Sequence, residues 1–254
     1  MKISHHKRQV LAILGFLGLT GIWVAVNPAS YETEVIPTTQ ATHDEVENPA
    51  APLATDLLAR LEVKGRAPKT GYKREEFYSG WPNVDGCNLR QRIIRREFGE
   101  TAVMDENNPC NVVAGSFIEP YTGEYKSFNS RVEIGKGIQI DHIVALSDAW
   151  QKGAQYMEKS VRYQIATDPL NLVAADANAN MTKSDGDAAT WLPPNKSFRC
   201  QYVARQVSVK YKYGLSVSEA EKNAIAKVLE SCPEERAIGT DMIQYNQDAK
   251  DTVD

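Results

Sequence analysis

The stretch "IQIDHIVALSDAW", Ile138 to Trp150, sets His142 beside Asp141 in an otherwise largely apolar run. The chain has four histidines, and the other three, His5, His6 and His43, lie near the N-terminus. The folded region therefore has one imidazole, a side chain whose ordinary pKa suits it to accept and return a proton near neutral pH. Taken alone, a histidine in an apolar run is more often a hydrogen-bonded core residue than a catalyst. The neighbouring carboxylate changes that balance, because an ionised Asp141 in an apolar strand is costly unless paired or bound to a cation. Strand alternation also sends adjacent side chains to opposite faces, so a pair serving one site requires a strand end or a distortion.

A second polar segment follows, "NLVAADANANMTKSDGD", Asn171 to Asp187. Asn178 and Asn180 suit a turn or the cap of a helix, and Asn171 suits a strand edge. Together the two segments resemble the HNH (ββα-metal) nuclease family. "DHI" ends one strand, "N-L" opens a second, and Asn180 follows Asn171 by nine residues at the start of a helix, an H-N-N form of the motif. The likeness extends through "GWPNVDGCNLR", "CNVVAGSFIEPYTG", "IDHIVALSDAWQKGA", "DPLNLVAADANAN" and "DAATWLPPNKSFRCQYVARQ", roughly Gly71 to Pro233. These segments look like a secreted bacterial subfamily, from which Ala145 and Asn88 are modest departures: many relatives carry Pro and Asp there.

The resemblance implies a role for each residue. His142 would be the general base that takes a proton from the attacking water. Asp141 and Asn180 would hold one divalent metal, and oxygen-only ligation suits Mg²⁺, or Mn²⁺, better than zinc. Asn171 would brace the loop that orients His142. Products would carry 5′-phosphate and 3′-hydroxyl ends. Lys183 is a candidate phosphate contact and Asp187 an outer partner of the metal, though each reads as well as a solvated surface charge.

Nucleic acid is the implied substrate, DNA first and RNA as a second candidate, and "NLRQRIIRRE" offers Arg90, Arg92 and Arg95 to its backbone. Pairing with Glu97 and Glu100 on a solvated helix face explains the same charges equally well, except at Arg90, which belongs to the family pattern. Trp81, Tyr121 and Trp191 could stack on bases, but core packing accounts for them more simply. No element resembles a sequence-reading module, so little specificity is expected. The runner-up is a cell-surface protein that binds nucleic acid without cutting it, and nothing points to a protein partner.

Several elements must position these residues. Leu53 to Leu61 suggests a short helix, and Leu89, Ile93, Ile94 and Phe98 form a helical stripe. "NVVAGSFIEPYTGEYKSFN" reads as a hairpin turning at "PYTG". Ile138 to Leu146 and "DPLNLVAA" are strand candidates, and Trp150, Met157, Val161 and Ile165 have helical spacing. Phe198 to Tyr213 makes a further helix, and Ser218 with Glu221 announces another by their capping-box spacing. The fold class expected from these elements is α+β, and the resemblance implies a ββα-metal core within the helical shell, spanning residues 53–235.

The 254 residues carry a net charge of −4, which comes from the flanks. Residues 53–235 hold 24 basic and 24 acidic side chains, whereas the proposed linker, 31–52, has five acids and no base. Residues 236–254 form a polar tail. Lys2, Lys7 and Arg8 precede an uncharged run from Val10 to Val26, the pattern of an export signal or N-terminal membrane anchor within residues 1–30. The protein is thus expected to be secreted, or anchored on the outer face of the cytoplasmic membrane and touching it only there. Four cysteines in an exported chain suggest two disulfides, and Cys87–Cys110 and Cys200–Cys232 each bracket one local unit. Four buried thiols are the alternative; with no C-x-x-C pair and no histidine nearby, zinc is disfavoured.

Overall fold

The computed structural model describes residues 51–239. The export or anchor segment, most of the linker and the end of the tail lie outside the described residues. In chain order the elements are α1 (Ala54–Arg60), β1 (Asn83–Val84), β2 (Cys87–Asn88), α2 (Leu89–Phe98), β3 (Val103–Asp105), β4 (Asn108–Ile118) and β5 (Tyr125–Phe128). These are followed by α3 (Arg131–Gly137), β6 (Ile138–His142), α4 (Leu146–Gln151), α5 (Lys159–Thr167), β7 (Leu172–Asp176), α6 (Ala177–Lys183), α7 (Arg199–Lys212) and α8 (Glu219–Leu229). The fold class is α+β.

The centre is a two-stranded antiparallel ribbon of β6 and β7, in register from Ile138 opposite Asp176 to His142 opposite Leu172. Alternation gives it two apolar faces. Ile138, Ile140, Leu172 and Ala174 pack with Leu89, Ile93, Ile94 and Phe98 of α2, and with Val112 and Phe117 of β4. Val173 and Ala175 face the other way, toward Tyr202, Val203 and Val207 of α7 and Leu57 of α1. The small hairpin core is enclosed as expected, except that one covering layer is partly the β3-β4-β5 meander. β4 and β5 form the expected hairpin, and β3 is an additional strand.

Local rules set the boundaries. The Asn88 side chain caps α2 by accepting from Arg90 N, and Ser218 and Glu221 close a capping box on α8. The first strand stops at His142 rather than Leu146, because the Asn171 side chain takes over the backbone groups of Val144. The helical spacing from Trp150 to Ile165 divides into α4 and α5 at Gly153, whose φ of 129° no L-residue adopts easily. Asp176, rather than Asn178 or Asn180, caps α6.

Both disulfides join the expected partners, with Cα separations of 5.2 Å for Cys87–Cys110 and 6.3 Å for Cys200–Cys232. Arg236 pairs with Leu53 in an isolated bridge, and Ala237 N donates to Pro52 O at 2.9 Å. The described ends are thus stitched together, and the packed unit runs past residue 235, into residues assigned on sequence to the tail.

Candidate active site

His142 closes β6 with its ring directed away from α6, toward the end of α5. Only 4% of it is exposed. Its Nε2 lies 3.0 Å from the Ala166 carbonyl. A carbonyl can only accept, so in this geometry Nε2 carries the proton and Nδ1 holds the lone pair. The Trp81 ring stacks on the imidazole at 5.9 Å and 15°, and Tyr78 lies 5.9 Å away on a tilted plane. Burial pushes the His142 pKa from 6.5 down to about 4, against the opposing charge of Asp141 and the hydrogen bond to Ala166. At neutral pH the ring is uncharged.

Asn171 is fully buried and ties two segments to this ring. Its Oδ1 accepts from Val144 N at 2.8 Å, and its Nδ2 donates to Ile165 O at 3.0 Å and Val144 O at 3.3 Å. Its main-chain carbonyl accepts from Ile143 N at 2.8 Å. One side chain therefore holds both the chain leaving His142 and the residue before Ala166. The turn carrying Asn171 is itself gripped by two guanidiniums. Arg96 donates to Pro169 O at 2.9 Å, and Arg205 to Leu170 O at 2.8 Å and Leu172 O at 2.9 Å.

Asp141 faces the opposite side of β6. Tyr121 donates its hydroxyl to Oδ2 at 2.5 Å, and the Lys183 ammonium sits 2.8 Å from the same oxygen. Lys183 also donates to the His142 carbonyl at 2.8 Å, and its side chain has no exposure. It is therefore not a solvated surface charge, and its ammonium is engaged by Asp141 and the His142 carbonyl where the sequence suggested a phosphate contact. Alternation holds to the last residue of the strand, so the Asp141 and His142 side chains leave its C-terminal end on opposite faces. Asn180 makes its hydrogen bond on the same face of β6, one step along from Asp141: its Nδ2 donates to Gln139 Oε1 at 2.8 Å. Gln139 and Asp141 share a face of β6. Asn180 lies over the first, and Lys183, nearly one turn later on α6, lies over the second.

Asp187 also departs from its expected place. It is buried at 3% exposure, 2.7 Å from Arg66 and 3.8 Å from Lys152, within a charge cluster that includes Asp148, Lys210 and Glu221. Despite the cost of burial, these cations hold its pKa below the usual carboxylate value. Both its oxygens have protein partners, Oδ2 the Arg66 guanidinium and Oδ1 the Ala189 amide.

Sequence reasoning missed two site residues. Tyr121, for which the sequence offers core packing or base stacking, supplies the neutral hydrogen bond to Asp141; burial, then the charge of Asp141, hold its phenol well above the usual range. Glu119 positions it. This buried carboxylate accepts from the main-chain nitrogens of Tyr121 and Asp176 at 3.1 Å and of Thr122 at 2.6 Å, joining the β4–β5 turn to the start of α6. An acidic residue beside "PYTG" was the available signal.

The arginines divide by role. Arg90 is half-buried and donates to Ile138 O at 3.0 Å, so it supports β6 rather than offering itself to phosphate. Arg92 pairs with Asp85 at 2.5 Å. Arg95 is exposed and forms no ion pair or side-chain hydrogen bond among the described residues. Arg92, Arg95 and Arg96 line a surface cavity of about 570 Å³.

Comparison with known proteins places these residues in a family. Residues 89–228 match the family model described as GmrSD restriction endonucleases, C-terminal domain. The chain belongs to the GmrSD C-terminal-domain family. Its matched segment contains Asp141, His142, Asn171 and Asn180, and the family is one of nuclease-type enzymes. An uncharacterized secreted protein of Arthroderma benhamiae is 36% identical over 187 residues, 72% of this chain and 87% of that protein. This relative is fungal, so the likeness extends beyond the bacterial subfamily named from the sequence. No solved structure matches. Among the described residues no helix is long and apolar enough to cross a membrane.

Proposed function

We propose that this chain is an exported, metal-dependent endonuclease of the HNH type in its H-N-N form, cutting nucleic acid with little sequence preference. The observation that carries the reading is the state of His142. Within the family-matched segment it is neutral, its Nε2 proton is committed to Ala166, and Asn171 holds the backbone on both sides of that contact.

In the proposed reaction His142 Nδ1 takes a proton from the water that attacks the phosphorus. The bond from Nε2–H to the Ala166 carbonyl stabilises the imidazolium that forms, and Asn171 keeps the ring aimed. Hydrolysis leaves 5′-phosphate and 3′-hydroxyl ends. Arg95, with Arg92, supplies sequence-independent attraction for the backbone.

The donor chemistry suits a hard divalent ion, Mg²⁺ or Mn²⁺. Both contacts to Asp141 fall on Oδ2, and Asn180 is engaged through Nδ2, so each keeps an oxygen that accepts no hydrogen bond among the described residues. Asp141 and Asn180 would hold the ion, which would supply polarisation of the phosphate and stabilisation of the leaving 3′ oxygen. Export is supported by the basic-then-apolar N-terminal segment, the two disulfides and the secreted relative.

A second reading, capture of nucleic acid without cleavage, is favoured by one observation: Lys183 already balances the charge of Asp141. The two are separated by incubating the protein with DNA and RNA under Mg²⁺ and Mn²⁺. Chelator-sensitive cleavage supports the nuclease; tight, salt-dependent binding with no product under either ion supports capture.

A further inference from the structure

A cavity of about 450 Å³ lies between the Arg74–Glu76 turn and the start of α5. One wall is Tyr78, whose ring stands 5.9 Å from that of His142 and 5.1 Å from that of Trp81. The other wall is α5 itself, through Lys159, Ser160 and Tyr163. The same helix delivers the Ala166 carbonyl to His142 from its far end, seven residues and about 10 Å from Lys159 along the axis. The cavity and the candidate base therefore share both a ring and a helix.

Its polar lining is unspent. Glu75 on the turn, and Lys159, Ser160 and Tyr163 on the helix, form no side-chain hydrogen bond or ion pair among the described residues. The neighbouring charges are committed by contrast: Arg74 donates to the Tyr78 hydroxyl, and Arg162 pairs with Glu76 at 3.2 Å. Tyr163 is 42% exposed, an aromatic face left to solvent at the cavity wall. An open ring, an ammonium and a carboxylate around one recess match the parts of a nucleotide: a π-face, a phosphate and an exocyclic amine.

We propose that this cavity is a nucleotide subsite flanking His142. Tyr163 stacks on an unpaired base, Lys159 meets the adjoining phosphate, and Glu75 accepts from the exocyclic amine of the base. Because Glu75 repels phosphate, the base enters on the turn side and the backbone runs along α5. Thymine and uracil lack that amine, so oligo-dC binds more tightly than oligo-dT. The proposal rests on the nuclease reading above.

The test measures anisotropy of labelled oligo-dC and oligo-dT on full-length His142→Ala protein, with turnover measured in the active background. Tyr163→Ala and Lys159→Ala each weaken oligo-dC binding about tenfold and raise KM in proportion, with kcat changing by less than about twofold. Tyr163→Phe keeps the ring and restores binding, and Glu75→Gln narrows the gap between oligo-dC and oligo-dT. Normal binding and KM in both alanine variants, in a protein that cleaves nucleic acid, overturn the subsite alone. A wild-type chain that neither binds nor cuts nucleic acid overturns the nuclease reading, and the subsite with it.

Discussion

The Lys183 ammonium lies 2.8 Å from an Asp141 carboxylate oxygen, with both side chains almost wholly buried. The pair joins α6 to β6 at the point where the sequence motif places its metal ligand. Breaking a buried ion pair from one side leaves the other charge stranded. Lys183→Met is expected to cost about 3–5 kcal/mol in denaturant unfolding, and Asp141→Leu in the same background should recover much of that loss. A change in Lys183→Met of under about 0.5 kcal/mol, as for a surface lysine, contradicts the placement.

The burial of His142 makes stability depend on pH. Its folded pKa is about 4 against 6.5 unperturbed, so the folded state disfavours the proton that the unfolded chain accepts. The stability contributed by this group is fully present above about pH 6.5 and is lost as pH falls through about 4. Wild type should therefore lose on the order of 3 kcal/mol more than His142→Gln across that window in urea titrations. Asp187, held low by Arg66, adds a loss at still lower pH. The acid limb of activity should fall near pH 4, and a limb at 6.5 would mean that the working imidazole is solvated.

The Asn171 side chain bonds to Val144 and Ile165 rather than to the His142 ring, so its effect should pass through position. Asn171→Ala leaves the Val144 amide and the Ile165 carbonyl without their partner, at about 1–3 kcal/mol of stability. At a temperature where both variants stay folded, it should retain more turnover than His142→Ala. Equal loss in the two would assign Asn171 a direct part in the chemistry.

The parts of this architecture that the sequence makes legible are those written in local periodicity. The Leu89, Ile93, Ile94 and Phe98 stripe, the β4–β5 hairpin and the Ser218–Glu221 box each depend on neighbours a few residues apart. The disulfides reach further, 23 and 32 positions, but each closes a single local unit. The details of the site do not. Whether Asn180 or Lys183 stands over Asp141 depends on how α6 is registered against β6, which Glu119 and Asp176 fix from different parts of the chain. Asp187 faces Arg66 across 121 positions, a partnership that no spacing rule announces. Arg90 illustrates the converse, since a residue in the family pattern serves the backbone of the site strand rather than the substrate.

The central claim is that His142 is the base of a metal-dependent nuclease, and plasmid digestion tests it most directly. Wild type and His142→Ala are incubated with supercoiled DNA under Mg²⁺ or Mn²⁺, after circular dichroism has shown that both are folded. The account predicts nicked and linear products from wild type, none after chelation, and a loss of at least about a hundredfold in His142→Ala. Cleavage by folded His142→Ala at the wild-type rate would contradict it.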